Sequence, residues 1–417
     1  MRRTLLLLLA VGLVGCRRGD DGAASQPASS PTAELDRLRA LPYAGYVDVE
    51  PDLEQDGVAI CQREQCSPGY TLYVVHRQCL AELIELDGRV VRRWQHQPSK
   101  VWTYGELLPD GRFVVVGADH SDLPRAKIAD EARYLICFDW DGQVRWKRRL
   151  PAHHDVTRTP DGQLLALTLS RRRVPAVHPR VPLRDEQLAL LTADGQLVES
   201  ISLYDLLSSQ PERFPLRPVG PSESGGEPWI ELFHCNSVQW IDQPQLAGSH
   251  PIYETGNILV CFRHQDRVAV INWPRRELVW SWGLGELSGP HDARLLPSGN
   301  LLIFDNGLSR RGSRVIELDP RSGQIVWQYR ARRPGSFYSP SKGSSQRLPN
   351  GNTLIADSDS GRLIEVTAAG KIVWEFRCRY RNRRGQRATL VFAERFSPEF
   401  VRQIEAGQAA GGGASAP

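Results

Sequence analysis

Short runs of alternating apolar and polar residues, broken by tight turns, dominate the chain. One phrase occurs six times: an apolar strand, a turn, then a second apolar strand that usually ends in tryptophan. The first copy reads Leu83-Ile84-Glu85-Leu86-Asp87-Gly88-Arg89-Val90-Val91 and continues to Trp94. It recurs as Ile136 to Trp146, Leu188 to Val198, Val268 to Trp280, Val315 to Trp327 and Leu363 to Trp374. Three copies carry Asp-Gly at the turn, at 87–88, 141–142 and 194–195. Asp-Gly between alternating apolar residues is a strong hairpin signal, because the tight turn needs positive φ at its centre.

A second phrase alternates with the first. Leu108-Pro109-Asp110-Gly111, Thr159 to Gly162, Leu296 to Gly299 and Leu348 to Gly351 each precede another apolar strand, such as Phe113 to Val116. Two hairpins per period make a four-stranded unit. The turn glycines Gly88, Gly142 and Gly195 lie 54 and 53 residues apart, and Gly323 and Gly370 lie 47 apart. A period of about 50 residues with four strands is the signature of a propeller blade. The expected fold is therefore all-β: a six-bladed β-propeller over residues 43–405. Tyr204 to Trp229 and Gln243 to Thr255, rich in Pro, Ser and Gly, read as loop insertions.

The ends fit closure of a ring. The first copy lacks an innermost strand, and Arg387 to Arg395 is a strand with no hairpin partner; it would complete the first blade and remove an open edge. Ser397-Pro398-Glu399 then predicts a short C-terminal helix, with Ser as N-cap and Pro in the first turn. The Gly- and Ala-rich residues 406–417 read as a disordered tail. At the other end, Arg2-Arg3, the apolar run Leu5 to Leu13 and Leu13-Val14-Gly15-Cys16 form a signal peptide over 1–16. The run is too short to span a bilayer as a mature helix. Its end resembles the lipobox of bacterial lipoproteins, which implies acylation of Cys16. Residues 17–42 suit a flexible tether. The expected address is the bacterial cell envelope, lipid-anchored, facing the periplasm from the outer membrane if the host has one.

Charge narrows the function little. The net charge of +4 over 417 residues is small. The densest basic cluster, Arg377 to Arg387, reads as a solvated edge, so no nucleic-acid partner is expected. Seven cysteines follow Cys16. Cys61 and Cys66 are close enough for a loop disulfide, and Cys235 and Cys261 fall on adjacent strands. No Cys-x-x-Cys pair occurs, which argues against structural zinc.

The chemistry lies in one repeated slot. His154-Asp155 precedes Gly162 by the same offset as His291-Asp292 precedes Gly299, and His234-Cys235-Asn236 opens a third such segment. Across the copies the slot holds Thr103, His154, His234, His291 and Gly343. Equivalent slots in a propeller face one axis, so three imidazoles converge. The bland alternative is structural: each histidine bonds a carbonyl while its Asp braces the next blade. Asn236, Arg263, Arg294, Arg314 and Gln346 are expected at the same mouth. Arginine supplies permanent planar donors for an oxyanion, and histidines among arginines stay neutral, ready to act as base or nucleophile. With only Asp155 and Asp292 as further ligands, a metal is not expected, nor is any other cofactor.

The ordered segments Phe233-His234-Cys235-Asn236-Ser237-Val238, Val260-Cys261-Phe262-Arg263-His264 and Pro290-His291-Asp292-Ala293-Arg294 resemble those of the bacterial arylsulfate sulfotransferases. So do Phe304-Asp305-Asn306-Gly307, Ser313-Arg314 and Gln346 to Asn352. The resemblance covers roughly residues 69 to 376. It implies a six-bladed propeller that moves a sulfuryl group from a phenolic sulfate ester to a phenol by a ping-pong route, without a nucleotide donor. It also implies that His234, His291 and Arg314 act at the active site, with Asn236, Arg263 and Arg294 as supports. The family's well-studied enzymes carry a further histidine in a later blade; this chain has none after His291. The covalent intermediate is therefore expected on His154, His234 or His291. A non-catalytic lipoprotein propeller that binds a ligand or protein is the alternative.

Overall fold

The computed structural model describes residues 43–120, 130–222 and 227–411. Residues 1–42, read from the sequence as a signal peptide ending at Cys16 and a tether, lie outside them. Six antiparallel sheets surround an axis. In blades two to six the strand that holds or follows the slot is innermost. Blade two runs Ser99–Leu107, Phe113–Asp119, Arg133–Phe138 and Val144–Arg149 from axis to rim. Blades three, four, five and six begin at the axis with Ala152–Arg158, Cys235–Trp240, Asp292–Leu295 and Ser344–Arg347. Blade one takes its inner strand from the far end of the chain: Leu390–Phe396 pairs antiparallel with Tyr70–Val75. The ring is closed between first and last blades, as the unpartnered C-terminal strand indicated.

The repeated tryptophan has a structural cause. Trp94 Nε1 donates to Asp139 O at 2.9 Å, Trp327 to Ala368 O at 2.8 Å and Trp374 to Leu86 O at 2.8 Å. Each acceptor lies at the turn of the next blade's outer hairpin. Trp94 and Trp374 therefore bury their rings between sheets and satisfy their one polar atom on the neighbour, and Trp327 makes the same bond from a half-buried position. Trp146 reaches the corresponding turn by packing: a Cβ on Gly195 would stand 2.8 Å from its ring. The remaining core is apolar and lies between adjacent sheets, as with Ile241, Leu259, Val268, Leu295 and Ile316 between blades four and five.

Polar residues staple the blades near the axis. Asp155 accepts from Val238 N at 2.8 Å, and Asp292 from Ser345 N at 3.0 Å. Gln346 bonds Arg395 twice, accepting from its N–H at 2.7 Å and donating to its carbonyl at 3.0 Å. The Asp of each His-Asp pair thus braces the next blade, while its histidine is left for other work.

Several elements depart from the sequence reading. Gly57–Cys61 adds a fifth, outermost strand to blade six by pairing with Ile372–Arg377. The insertion read as a loop begins with a helix, Leu203–Ser208, capped by the Ser202 side chain accepting from Asp205 N. The C-terminal helix spans Pro398–Gly411, so residues 406–411 are helical rather than disordered. Alanine favours the helix, and Gln408 Nε2 anchors it to Asp110 O at 3.0 Å. Ser397 Oγ accepts from Phe400 N at 3.1 Å, the expected cap. Cys61, Cys66, Cys235 and Cys261 are free thiols, as are the other described cysteines, so neither suggested disulfide is present.

Candidate active site

At one mouth of the channel the inner strands bend before they settle into their ladders. The register shifts between Ala152 and Val156, and between Cys235 and Ser237. His154, within the first of these, has φ 58°, and His234, directly before the second, has φ 48°. Non-glycine residues rarely adopt this left-handed backbone, and such strain gathers at functional sites. Its effect is to turn both imidazoles toward the axis. Their ring centroids lie 4.8 Å apart. His291, just before the blade-five inner strand, completes the set.

A phenol stands at the centre. Tyr43, the first described residue, places its hydroxyl 2.7 Å from His291 Nε2, 3.2 Å from Asn236 Oδ1 and 3.5 Å from His234 Nε2. Its ring meets His76, His154, His234 and His291 at centroid distances between 5.5 and 6.2 Å. The Lys342 ammonium sits 5.3 Å from the ring centroid. Beside the phenol a small cavity of about 30 Å³ is lined in part by Thr103, Tyr104, His154, Asn236, His291 and Arg294.

Hydrogen bonding assigns the proton positions. Asn306 Nδ2 donates to the carbonyls of Ser339 and Lys342, so its Oδ1 faces His291 Nδ1 at 2.9 Å. His291 must then carry its proton on Nδ1, which leaves an Nε2 lone pair toward the Tyr43 hydroxyl. Asn236 Nδ2 donates to Pro290 O, which turns its Oδ1 to the same hydroxyl. His234 Nδ1 donates to Glu231 Oε2 at 2.8 Å, and Glu231 also binds Arg184 at 3.0 Å. One nitrogen of His234 therefore faces a carboxylate and the other faces the phenol.

Burial sets the charge states. It holds His291 well below the ordinary histidine value, with Arg263 adding to the effect. His154 and His76 are held well below for the same first reason. Burial lowers His234 too, although Glu231 opposes it. Burial works to raise Glu231, but His234 and Arg184 override it and hold the carboxylate ionised. Lys342 is lowered by burial despite its ion pair with Asp359. The cluster is a nest of buried imidazoles rimmed by fixed cations, and of the three slot histidines His234 is the one with a carboxylate bonded to its ring to support a proton.

Glu231, His264, Lys342 and Tyr43 were not singled out for this role in the sequence. Glu231, His234 and His264 bring their ligand atoms within 4.8 Å of one another, a two-histidine, one-carboxylate set that could hold a divalent cation. In the structure Glu231 instead orients His234, and His264 Nδ1 bonds Glu231 O at 2.7 Å. His264 belonged to a quoted motif but not to the repeated slot. Lys342 directly precedes Gly343 in that slot, and Tyr43 sits in non-repetitive sequence that gives no signal.

The arginines separate. Arg263 is fully buried and close enough to lower His291 and His234. Arg294 lines the cavity but is taken by Asp292 at 2.9 Å and Asp155 at 3.1 Å. Arg314 does not face the cluster. Its guanidinium bonds Asp305 at 2.8 Å and Glu286 at 2.7 Å, and it lines a second cleft with Arg310 and Arg330. Arg314 opens the third strand of its blade, two ladders from the axis, whereas the histidines lie at the first. Gln346 is also off the site, spent on the blade staple described above.

Comparisons with known proteins place the chain in a family. No curated protein matches the chain. Among solved structures it is similar to a protein of unknown function from Bacteroides caccae, at 15% identity over 74% of this chain and 94% of that one, TM-score 0.47. It is also similar to the Cps50 (Swd1) β-propeller domain of Myceliophteria thermophila, at 13% identity over 77% and 89%, TM-score 0.42. A streptogramin B lyase aligns at 11% identity over 85% and 97%, TM-score 0.43. None of these likenesses bears on what this chain binds. The arylsulfotransferase (ASST) family model matches residues 134–379, which span blades three to five, the two outer strands of blade two and four of the five strands of blade six. The chain belongs to the arylsulfotransferase family.

Proposed function

We propose that this chain transfers a sulfuryl group from an aryl sulfate to a phenol at the histidine cluster. The observation that carries the reading is the His291 lone pair, fixed by Asn306 and aimed at a phenolic hydroxyl at 2.7 Å. A phenol acceptor in that position loses its proton to His291 Nε2 as its oxygen attacks sulfur. The bond between sulfur and the donor's aryl oxygen breaks, and the departing phenolate takes a proton from His234. Glu231 favours the imidazolium that this step needs, much as a carboxylate orients and supports a catalytic histidine elsewhere. Arg263 supplies positive charge near the sulfonate oxygens. Arg314, spent on Asp305 and Glu286, is left out of this scheme.

The test is release of a chromogenic phenol from its sulfate ester in the presence of a second phenol, by wild type and variants. His291→Ala is expected to lower the rate ~10²–10⁴-fold, the usual contribution of a positioned base. Occupation of the site by Tyr43 favours a second reading, a binding scaffold whose pocket is kept closed; it predicts ligand affinity with no phenol release. We further propose a lipid anchor at Cys16. Cys16→Ser should move the protein out of the membrane fraction or block its processing; retention of a processed form would contradict the anchor.

A further inference from the structure

The phenol that marks the acceptor position belongs to the protein itself. Tyr43 is locked there by the residues that follow it. Thr389 Oγ1 donates to Ala44 O at 2.7 Å, Lys342 Nζ donates to the same carbonyl at 3.1 Å, and Thr389 N donates to Gly45 O at 3.0 Å. Tyr46–Val47 then pairs with Arg387–Ala388. Gly45 is needed for this path, because a Cβ there would stand 2.1 Å from Arg77 Cγ. The strap is therefore built into the closure of the ring.

A tyrosine side chain is a phenol, and the family's acceptors are phenols. Its hydroxyl sits on the lone pair of His291, with Asn236 Oδ1 as the other acceptor nearby. A tyrosine packed only for shape has no need of a base whose tautomer is fixed from behind by a buried asparagine. We infer that Tyr43 is itself a sulfuryl acceptor, modified in cis to tyrosine O-sulfate by an aryl sulfate donor. This inference rests on the proposed transferase activity and extends it to a site in the chain.

The step balances without any added reagent. The Tyr43 oxygen forms a bond to sulfur, and its proton passes to His291 Nε2. The sulfur–oxygen bond of the donor breaks, its electron pair leaves with the aryl oxygen, and that oxygen takes the Nε2 proton of His234 in its imidazolium form, whose Nδ1–H stays on Glu231. The His291 proton returns His234 to its starting state through exchange with solvent. One aryl sulfate and one tyrosine give one phenol and one tyrosine sulfate.

The test uses the full chain and 4-nitrophenyl sulfate as sole donor, with no added phenol. Wild type should release one equivalent of 4-nitrophenol per chain as a burst and gain one SO₃ in intact mass, mapped to Tyr43. Tyr43→Phe, which removes only the hydroxyl, should lose the burst and the mass gain. A tagged His291→Ala chain mixed with wild type should stay unlabelled, because the reaction is in cis; label on that chain would overturn the inference. Transfer to an added phenol with no label on Tyr43 would overturn it while leaving the proposed function standing. Label on a histidine in its place would do the same. Absence of any phenol release, with or without acceptor, would overturn both.

Discussion

At the scale of single residues the site depends on which imidazole nitrogen holds the proton. Burial and Arg263 keep His291 neutral well below its ordinary value of 6.5. A base must be unprotonated to act, so activity should persist as pH falls past 6.5 and fail only as pH approaches the depressed value. Asn306→Asp places a carboxylate against His291 Nδ1. That favours the imidazolium, raises the histidine's pKa, and should move the acid limb of kcat/KM to higher pH. An unmoved limb would show that His291 is not the titrating base. His154, His234 and His291 were legible in the sequence because a repeat puts equivalent positions on one axis. Arg314 and Gln346 were misplaced by the same logic. Their spacing put them near the ring's mouth, but ion pairs and staples chosen by neighbouring blades decide where a side chain points.

At the scale of elements the inner strands carry the most information. The hairpins, their turns and their terminal tryptophans were readable because alternation and turn chemistry are local. The fifth strand of blade six was not, because its pairing partner lies more than 300 residues away. Nor were the bulges that aim His154 and His234, since a bulge leaves the alternating pattern nearly intact. The slot also explains Gly343. It has φ 146°, and a Cβ there would lie 2.3 Å from the Phe304 ring. Gly343→Ala should therefore destabilise the protein by about 1–3 kcal/mol through backbone strain and displacement of that ring. A urea midpoint unchanged from wild type would show that the blade-six strand start is freer than this geometry allows.

At the scale of the molecule, one strand closes the ring and one strap fills its centre. Arg395 ties the closing strand to its neighbours by bonding Thr71 at 3.0 Å and Ser67 O at 3.1 Å, and by an ion pair with Glu365. A chain ending at residue 389 should lack the native near-ultraviolet signal, and a peptide spanning 390–411 should restore it when added in trans. Native signal without the peptide would mean that blade one does not need its inner strand. Closure was legible from a missing strand at one end and a spare one at the other. The strap was not, because Tyr43 belongs to no repeat. The central claim is sulfuryl transfer at the His234–His291 cluster. Its most direct test is phenol release from a chromogenic aryl sulfate with a second phenol as acceptor. Release by the wild-type chain, lowered ~10²–10⁴-fold in His291→Ala, is the predicted result. Release equally fast in His291→Ala, or none from the wild type across a range of donors, would contradict it.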